Sequence, residues 1–226
     1  MTNDFLFSLP QPFVAIHGNS KRFPVRRVWC VGRNYAAHAR ELGNDAKDPP
    51  LFFSKQPDML APGGGAIRYP SLTSNYQYEC ELVVALKDGG ENVSVTDAPK
   101  LIFGHAVGLD MTRRDLQKQM QEKGRPWEIG KSFEQSAPIG PLTPSVGPLS
   151  AGRIRLSVNG EVKQDSDIDQ MMWNEAEIIS RLSQQVTLAA GDVIFTGTPE
   201  GVGPVKRGDK LLAEIAGLEP LSVAII

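Results

Sequence analysis

The sequence Asn75-Tyr-Gln-Tyr-Glu-Cys-Glu-Leu-Val-Val-Ala85 combines the start of a core strand with a pair of carboxylates. Its first half alternates polar and apolar residues and its second half is continuously apolar, which is typical of a strand that enters a core. Because successive side chains of a strand point to opposite faces, Glu79 and Glu81 share one face. Such a pair usually belongs to a solvated face, but this strand is becoming buried. Two buried carboxylates need a cation or a shared proton.

A second apolar run, Phe103-Gly-His-Ala-Val-Gly-Leu-Asp-Met111, carries a single acid, Asp110, near its end. An acid in this position can simply cap a following helix. Three acids from two strands also suit a hard divalent cation bound through oxygen. We therefore predict that Glu79, Glu81 and Asp110 bind one metal ion, and we interpret His105 in the same run as a core histidine.

Length, charge and cysteine content restrict the class of protein. The 226 residues include 24 Lys and Arg against 26 Asp and Glu, with no basic block. This composition argues against nucleic acid or an anionic membrane surface as partner and favours a small molecule. No apolar run is long enough to span a bilayer and no secretory segment is evident, so we expect a cytoplasmic protein. Cys30 and Cys80 lie in apolar runs and are predicted to be buried thiols. The predicted organisation is an arm at 1–24 followed by one catalytic domain at 25–226.

A turn at Gly32 is predicted to open into a short helix that ends near Gly43. On that helix His38 and Glu41 lie three residues apart and share a face, so the carboxylate could hold one imidazole nitrogen while the other accepts a proton. The alternative is the ordinary polar face of an exposed helix. Residues 34–48 carry few apolar anchors, and we expect them to form a lid that closes over a ligand.

Two further predicted elements bring basic side chains toward the site. The strand 49–55 ends in Lys55, which could face it. A helix over 112–123, capped by Thr112 and ended by Gly124, would place Arg114 and Gln117 on a common face.

Lys131 lies between residues too apolar for a solvated loop. If this segment is extended, Ile129 and Phe133 point inward together with Lys131. The alternative is a surface lysine that packs its apolar stem on the protein.

The C-terminal part is predicted to be mainly structural. Residues 153–164 form a hairpin with Asn159-Gly160 in the turn, and 168–183 have the apolar spacing of an amphipathic helix. Residues 191–203 are a buried strand that runs into a glycine-rich turn. Its backbone N–H groups and the Thr198 hydroxyl could hold a carboxylate.

Five stretches, in order and spacing, resemble the fumarylacetoacetate hydrolase family. They are Cys30-Val-Gly-Arg-Asn-Tyr-Ala-Ala-His38 with Glu41, Glu79-Cys-Glu81, Gly108-Leu-Asp-Met-Thr-Arg-Arg-Asp-Leu-Gln117, Lys131-Ser-Phe133 and Thr196-Gly-Thr-Pro-Glu-Gly-Val-Gly203. The resemblance extends from about residue 25 to the C-terminus and implies a β-rich α+β roll, a mixed β-roll with short helices and a lid, commonly a homodimer. Residues 23–30 and 124–131 most resemble the bacterial members that hydrolyse fumarylpyruvate in gentisate degradation.

The resemblance also implies roles for individual residues. The metal carboxylates, which would hold Mg²⁺ or Mn²⁺, are matched by Glu79, Glu81 and Asp110. His38 and Glu41 match the water-activating pair, and Lys131 matches the catalytic lysine. The positions that contact substrate are matched by Arg114, Gln117 and Thr198, and we add Arg33 and Lys55 as candidates.

The implied reaction is metal-dependent hydrolysis of the C–C bond of a 2,4-dioxo acid, giving fumarate and pyruvate from fumarylpyruvate. The same metal site could instead decarboxylate oxaloacetate or hydrolyse acylpyruvates generally. A third alternative is a binding module whose acids only hold a stabilising ion. That module would not need His38.

Overall fold

The structure is a computed structural model that describes residues 6–37 and 49–226. The strands are β1 Phe13–Ile16, β2 Asn19–Pro24, β3 Arg27–Gly32, β4 Leu51–Lys55, β5 Leu60–Pro62, β6 Gly65–Ile67, β7 Tyr76–Tyr78, β8 Cys80–Leu86, β9 Ile102–Leu109, β10 Thr112–Arg113, β11 Ala137–Ile139, β12 Thr143–Pro144, β13 Arg153–Val158, β14 Glu161–Asp167, β15 Asp192–Phe195, β16 Gly203–Pro204, β17 Lys210–Ile215 and β18 Leu221–Ile225. Two α-helices lie wholly within the described ranges, α1 Arg114–Glu122 and α2 Glu175–Ser183. The predicted β-rich α+β fold is confirmed.

Two large mixed sheets form the body of the domain. One has the order β4-β3-β15-β8-β9-β11-β5, with β12 also paired to β9, and the other has the order β14-β13-β17-β18-β6. A small sheet, β10-β7-β16, carries polar side chains of the site, and β1 and β2 form a separate hairpin. Strand β8 lies between β15 and β9 and is buried along its whole length. This explains its continuous apolar run, because such a strand meets core on both faces.

Three groups of buried apolar side chains surround β8. The first contains residues of both large sheets, such as Leu82, Val107 and Leu156. The second includes Val14 and Phe23, so the N-terminal hairpin is packed onto the core. The third is formed largely by α2 together with strand residues on the other face of the sheet. The division into an arm, a domain and a lid stays a prediction.

The hairpin predicted at 153–164 is confirmed. Strands β13 and β14 pair antiparallel. Asn159 and Gly160 between them have φ of 52° and 85°, the positive angles that a two-residue type I′ turn requires.

The helix predicted over 168–183 is too long. Helix α2 begins only at Glu175, because the Asn174 side chain accepts a hydrogen bond from the Glu177 N–H and the Glu177 carboxylate accepts one from the Asn174 N–H. This capping box fixes the start of the helix. Residues 168–170 form a 3-10 turn, and Met171 bridges to Tyr35.

No helix in the two described ranges is long and apolar enough to cross a membrane.

Candidate active site

The three predicted metal carboxylates meet at one end of the β8–β9 pair. Glu79 lies at the break between β7 and β8, Glu81 lies on β8, and Asp110 follows β9 directly. The Asp110 N–H donates to the Glu79 carbonyl at 2.9 Å, which keeps the two backbones adjacent beyond the ladder. One carboxylate oxygen from each acid lies within 4.8 Å of the others, and all three side chains are buried. The strands therefore bring them together as predicted.

Gly108 makes this close pairing possible. It lies opposite Glu81 in the β8–β9 ladder. A Cβ atom at Gly108 would lie 2.5 Å from Val83 Cγ2 and 2.6 Å from Phe195 Cε1. A side chain at this position would force Val83 and Phe195 to move and would disturb the packing around the β8–β9 pair that positions Glu81 and Asp110.

Lys131 lies inside the carboxylate cluster. Its Nζ donates to Glu79 Oε2 at 2.7 Å, to Asp110 Oδ2 at 2.8 Å and to Thr112 Oγ1 at 2.7 Å. The side chain is 4% exposed, so the surface alternative is wrong.

The predicted backbone of this segment is also wrong. Residues 128–130 form a 3-10 turn instead of a strand. Ile129 consequently points outward, with 47% of its surface exposed, while Phe133 is buried.

Lys55 is a second buried lysine and lies next to Lys131. Its Nζ lies 2.8 Å from Asp110 Oδ1, donates to the Met111 carbonyl at 3.3 Å and also donates to the Lys131 carbonyl. It is 1% exposed and is absent from the walls of the cavity described below. The structure thus places Lys55 as a support for Asp110 and Lys131.

Arg114 and Gln117 share a face of α1, as predicted. Arg114 donates to Gln117 Oε1 at 2.5 Å, to Gln77 Oε1 at 2.8 Å and to Glu79 Oε1. Thr112 does not cap this helix, since Arg113 occupies the cap position without a side-chain bond. The Thr112 hydroxyl instead accepts from Lys131 and lies 3.3 Å from Glu79 Oε1. Sequence reasoning missed this role because a threonine before a helix is normally a cap.

The glycine-rich turn after β15 holds a protein carboxylate. The Gly197 N–H donates to Glu81 Oε2 at 2.8 Å. Gly197 has φ of 98°, and a Cβ there would lie 2.7 Å from Asn34 Cβ, so only glycine fits. The Thr198 hydroxyl accepts from Gln164 Nε2 at 2.8 Å. Gln164 Oε1 in turn accepts from the Cys80 N–H at 3.0 Å.

The electrostatics favour a cation beside Glu81. Burial, together with the nearby carboxylates of Asp110 and Glu79, raises the pKa of Glu81 well above its usual value. Burial alone would lower the pKa of Lys131, but Asp110 and Glu79 outweigh it and the pKa is raised. Glu81 itself has only the Gly197 N–H as a described hydrogen-bond donor. Three convergent carboxylates, one of them poorly compensated, fit a hard divalent cation.

These groups open onto a cavity of about 640 Å³. Its walls carry most of the predicted site residues, namely Arg33, Glu79, Glu81, Asp110, Arg114, Gln117, Lys131 and Thr198. Phe53, Lys118 and Trp127 also line it and were not predicted. His38 and Glu41 lie outside the described residues.

Comparisons with known proteins show the family of this chain. Residues 27–226 match the family described as fumarylacetoacetate (FAA) hydrolase C-terminal. A fumarylpyruvate hydrolase from Ralstonia sp is 46% identical over 176 residues, which are 77% of this chain and 92% of that protein. The mitochondrial oxaloacetate tautomerase FAHD1 of Bos taurus is 39% identical over 204 residues, 86% of this chain and 92% of that protein.

A solved structure extends the similarity over the whole chain. The crystal structure of fumarylpyruvate hydrolase from Pseudomonas aeruginosa, in complex with Mn²⁺ and pyruvate, matches with a TM-score of 0.96 and 52% identity, covering 99% of each chain. The predicted fold type is thereby confirmed. The sequence match, the fold and the buried carboxylate cluster together show that this chain belongs to the fumarylacetoacetate hydrolase family.

Proposed function

We propose that the chain is a metal-dependent hydrolase that cleaves the C3–C4 bond of a 2,4-dioxo acid, with fumarylpyruvate as substrate. The observation that carries this proposal is the Lys131 ammonium held by Glu79 and Asp110 within the carboxylate cluster, at the wall of the cavity. The similarity to two fumarylpyruvate hydrolases supports the hydrolase prediction. Pyruvate, present in the Pseudomonas aeruginosa complex, is one product of this reaction.

The reaction balances with water as the only co-substrate. The water oxygen forms a bond to C4 and the electron pair of the C4 carbonyl moves onto its oxygen; that pair then re-forms the carbonyl as the C3–C4 bond breaks. The electron pair of that bond moves to C3 and is delocalised onto the C2 carbonyl oxygen. One water proton is finally delivered to C3, and the products are fumarate and pyruvate.

A divalent ion held by Glu79, Glu81 and Asp110, proposed here as Mg²⁺ or Mn²⁺, would supply a Lewis acid for negative charge on substrate oxygens. Lys131, whose three donors are on Glu79, Asp110 and Thr112, would stabilise the oxyanion that develops at C4 through its positive charge. Its burial strengthens this interaction, because a fixed charge in a water-poor site acts with little screening.

The charges around the cluster fit a dianionic substrate. Three carboxylates face three cationic side chains, Lys55, Lys131 and Arg114, which bring the formal sum to zero. A bound divalent ion therefore gives the site a charge of two positive units. Fumarylpyruvate carries two carboxylates, so its charge is opposite to that of the metal-loaded cluster.

We further propose that His38, oriented by Glu41, removes the proton from the attacking water. Their three-residue spacing and the family resemblance support this role. His38→Ala should lower kcat for fumarylpyruvate by about 10²-fold or more and should affect oxaloacetate decarboxylation much less, because no water attacks in that reaction. An equal loss in both activities would mean that His38 serves binding, and an unchanged hydrolysis rate would show that another group activates the water.

Further proposals concern the setting of the enzyme. We propose a homodimer, a cytoplasmic location, a place in aromatic-compound degradation of the gentisate type, and a lid at 34–48. The family resemblance of the sequence supports all but the location, for which the support is the pair of buried free thiols, Cys30 and Cys80, which are typical of a reducing compartment.

Turnover of a panel of acylpyruvates, with and without EDTA, tests the main proposal. We expect fumarylpyruvate to give fumarate and pyruvate, with activity lost in EDTA and restored by Mn²⁺. Oxaloacetate is the second candidate substrate, because relatives such as that of Bos taurus are named oxaloacetate tautomerases. Rapid conversion of oxaloacetate without hydrolysis of any acylpyruvate would refute the hydrolase proposal.

A further inference from the structure

We propose, building on the proposed function, that Phe53 and Trp127 hold the conjugated acyl chain of the substrate while Arg33 binds its terminal carboxylate. These three residues would then determine the preference for fumarylpyruvate over acylpyruvates with short or uncharged chains.

The other cations near the cluster are already occupied by protein groups. Arg114 donates to Gln77, Gln117 and Glu79, so its charge is already paired with a protein carboxylate. Lys131 uses its three donors within the cluster. A second substrate carboxylate, at the far end of the acyl chain, is better matched by a cation that is not already paired with a protein carboxylate.

Two other cationic side chains line the cavity, Arg33 and Lys118. Lys118 is 74% exposed and lies 3.9 Å from Glu122, one turn along the same helix. Such an exposed lysine is strongly hydrated and loses much rotamer entropy on binding. Arg33 is partly buried and has no hydrogen bond or ion pair to any residue in 6–37 or 49–226. Its planar guanidinium can bind a carboxylate through two parallel hydrogen bonds.

The backbone of Arg33 is held in an uncommon conformation. Its φ is 63°, a left-handed value that non-glycine residues rarely adopt without support from their surroundings. That support comes from Asn34, which is fully buried. The Asn34 side chain donates to the Thr196 carbonyl at 2.7 Å and accepts from the Trp173 N–H at 2.8 Å.

The same contacts fix Arg33 relative to the metal ligands. Thr196 immediately precedes Gly197, whose N–H holds Glu81. The turn that carries Arg33 is thus tied to the turn that orients Glu81. A local strain that places a cation at a set position beside a metal site is the kind of feature that specificity requires.

An aromatic wall leads away from the catalytic lysine. Lys131 Nζ lies 5.3 Å from the centre of the Phe53 ring. The Phe53 ring centre lies 5.1 Å from that of Trp127, with the planes at 68°. A substrate with C4 beside Lys131 can extend its acyl chain along these two rings. The flat trans double bond of the fumaryl group suits aromatic contact better than a flexible saturated chain does.

Three substrates separate the contribution of the aromatic wall from that of Arg33. Fumarylpyruvate has both the chain and the terminal carboxylate, crotonylpyruvate has a methyl group in place of that carboxylate, and acetylpyruvate has neither. The measurement is kcat/KM of the Mn²⁺-loaded enzyme for each of them. Arg33→Asn removes the cation and keeps a residue that tolerates positive φ, so folding should be preserved. Trp127→Ala removes part of the wall, and Trp127→Phe restores an aromatic ring.

We expect Arg33→Asn to lower kcat/KM for fumarylpyruvate by roughly 10–100-fold, the usual effect of a lost charge-assisted hydrogen bond, and to leave the other two substrates within about twofold. Trp127→Ala should lower kcat/KM about tenfold for fumarylpyruvate and crotonylpyruvate but not for acetylpyruvate, and Trp127→Phe should recover most of that loss. Acetylpyruvate turnover by each variant serves as the folding control.

Equal losses on all three substrates would overturn the inference, because they would show a general structural effect. A selective loss of fumarylpyruvate activity in Lys118→Ala, with none in Arg33→Asn, would overturn the assignment of the carboxylate to Arg33. If the unmodified enzyme hydrolyses none of the three, the proposed function itself fails. Failure of the inference and failure of the proposed function therefore give different results.

Discussion

Replacement of Lys131 by methionine should separate the two roles of its ammonium, catalysis and charge compensation. The substitution keeps an unbranched side chain of similar size and removes the donor from Glu79 Oε2 and Asp110 Oδ2, at 2.7 and 2.8 Å. Removing one partner of a buried ion pair costs about 3–5 kcal/mol. Glu79 keeps Arg114 and Asp110 keeps Lys55, so we expect the lower end, about 3 kcal/mol.

This free energy gives a measurable change in thermal stability. For a domain of this size, 1 kcal/mol shifts the Tm by about 2–4 °C, so metal-free Lys131→Met should melt about 6–12 °C below the unmodified protein. With saturating Mn²⁺ the difference should shrink, because the ion places positive charge beside the same oxygens. The kcat of the Mn²⁺-loaded variant should fall by about 10²–10³-fold.

Calorimetry with and without Mn²⁺, together with steady-state kinetics, provides the assay. Lys100→Met is the matched control, since Lys100 pairs with Asp97 on the surface and neither Tm nor kcat should change. Equal Tm losses in both metal states would refute the charge-compensation argument. A kcat that falls less than about tenfold would remove Lys131 from the mechanism.

The remaining predictions concern Glu81 and Thr112. Glu81→Ala should weaken Mn²⁺ binding at least about 10²-fold and abolish activity, as measured by titration calorimetry and turnover; full occupancy and full activity would exclude Glu81 as a ligand. Since the metal-free pKa of Glu81 is raised by burial and its acidic neighbours, its contribution to stability is present below the ordinary glutamate pKa and is lost as pH rises through the folded value. Mn²⁺ binding should therefore release a proton, seen as a buffer-dependent binding enthalpy that disappears in Glu81→Gln. Thr112→Val should lower kcat/KM about tenfold and the free energy of unfolding by about 1–2 kcal/mol, and an unchanged pair of values would show that the hydroxyl contact to Lys131 is dispensable.

Short-range patterns predicted the elements that carry the metal ligands. The continuous apolar run after Glu81 predicted a core strand, and β8 is buried on both faces. The Asn159-Gly160 turn and the end of α1 before Gly124, whose φ is 59°, are local features as well. In each case the residues that determine the conformation are neighbours in the chain, so sequence reasoning could read them.

Contacts between distant residues explain what the sequence did not reveal. Thr112 was predicted to cap a helix, but its hydroxyl is turned to the Lys131 ammonium. Lys55 was predicted to contact substrate. Its Nζ instead lies 2.8 Å from the carboxylate of Asp110, a residue that is distant in the sequence. The capping box of Asn174 and Glu177 was readable in the sequence, and it would have corrected the start of α2.

The two halves of the candidate site are built from different kinds of structure. Glu81 takes its position from β8, which is paired on both sides within the large sheet, and Asp110 follows β9 directly. Arg33 lies in a bend after β3 and Trp127 lies in the loop before the 3-10 turn at 128–130, and substitutions in such segments disturb few core contacts. The proposed metal chemistry is therefore tied to the stability of the sheet, whereas the proposed recognition of the acyl group can change through residues outside the sheet such as Arg33 and Trp127. Substitution of Gly108 should consequently damage every activity of the enzyme, while substitution of Arg33 should change only its choice of substrate.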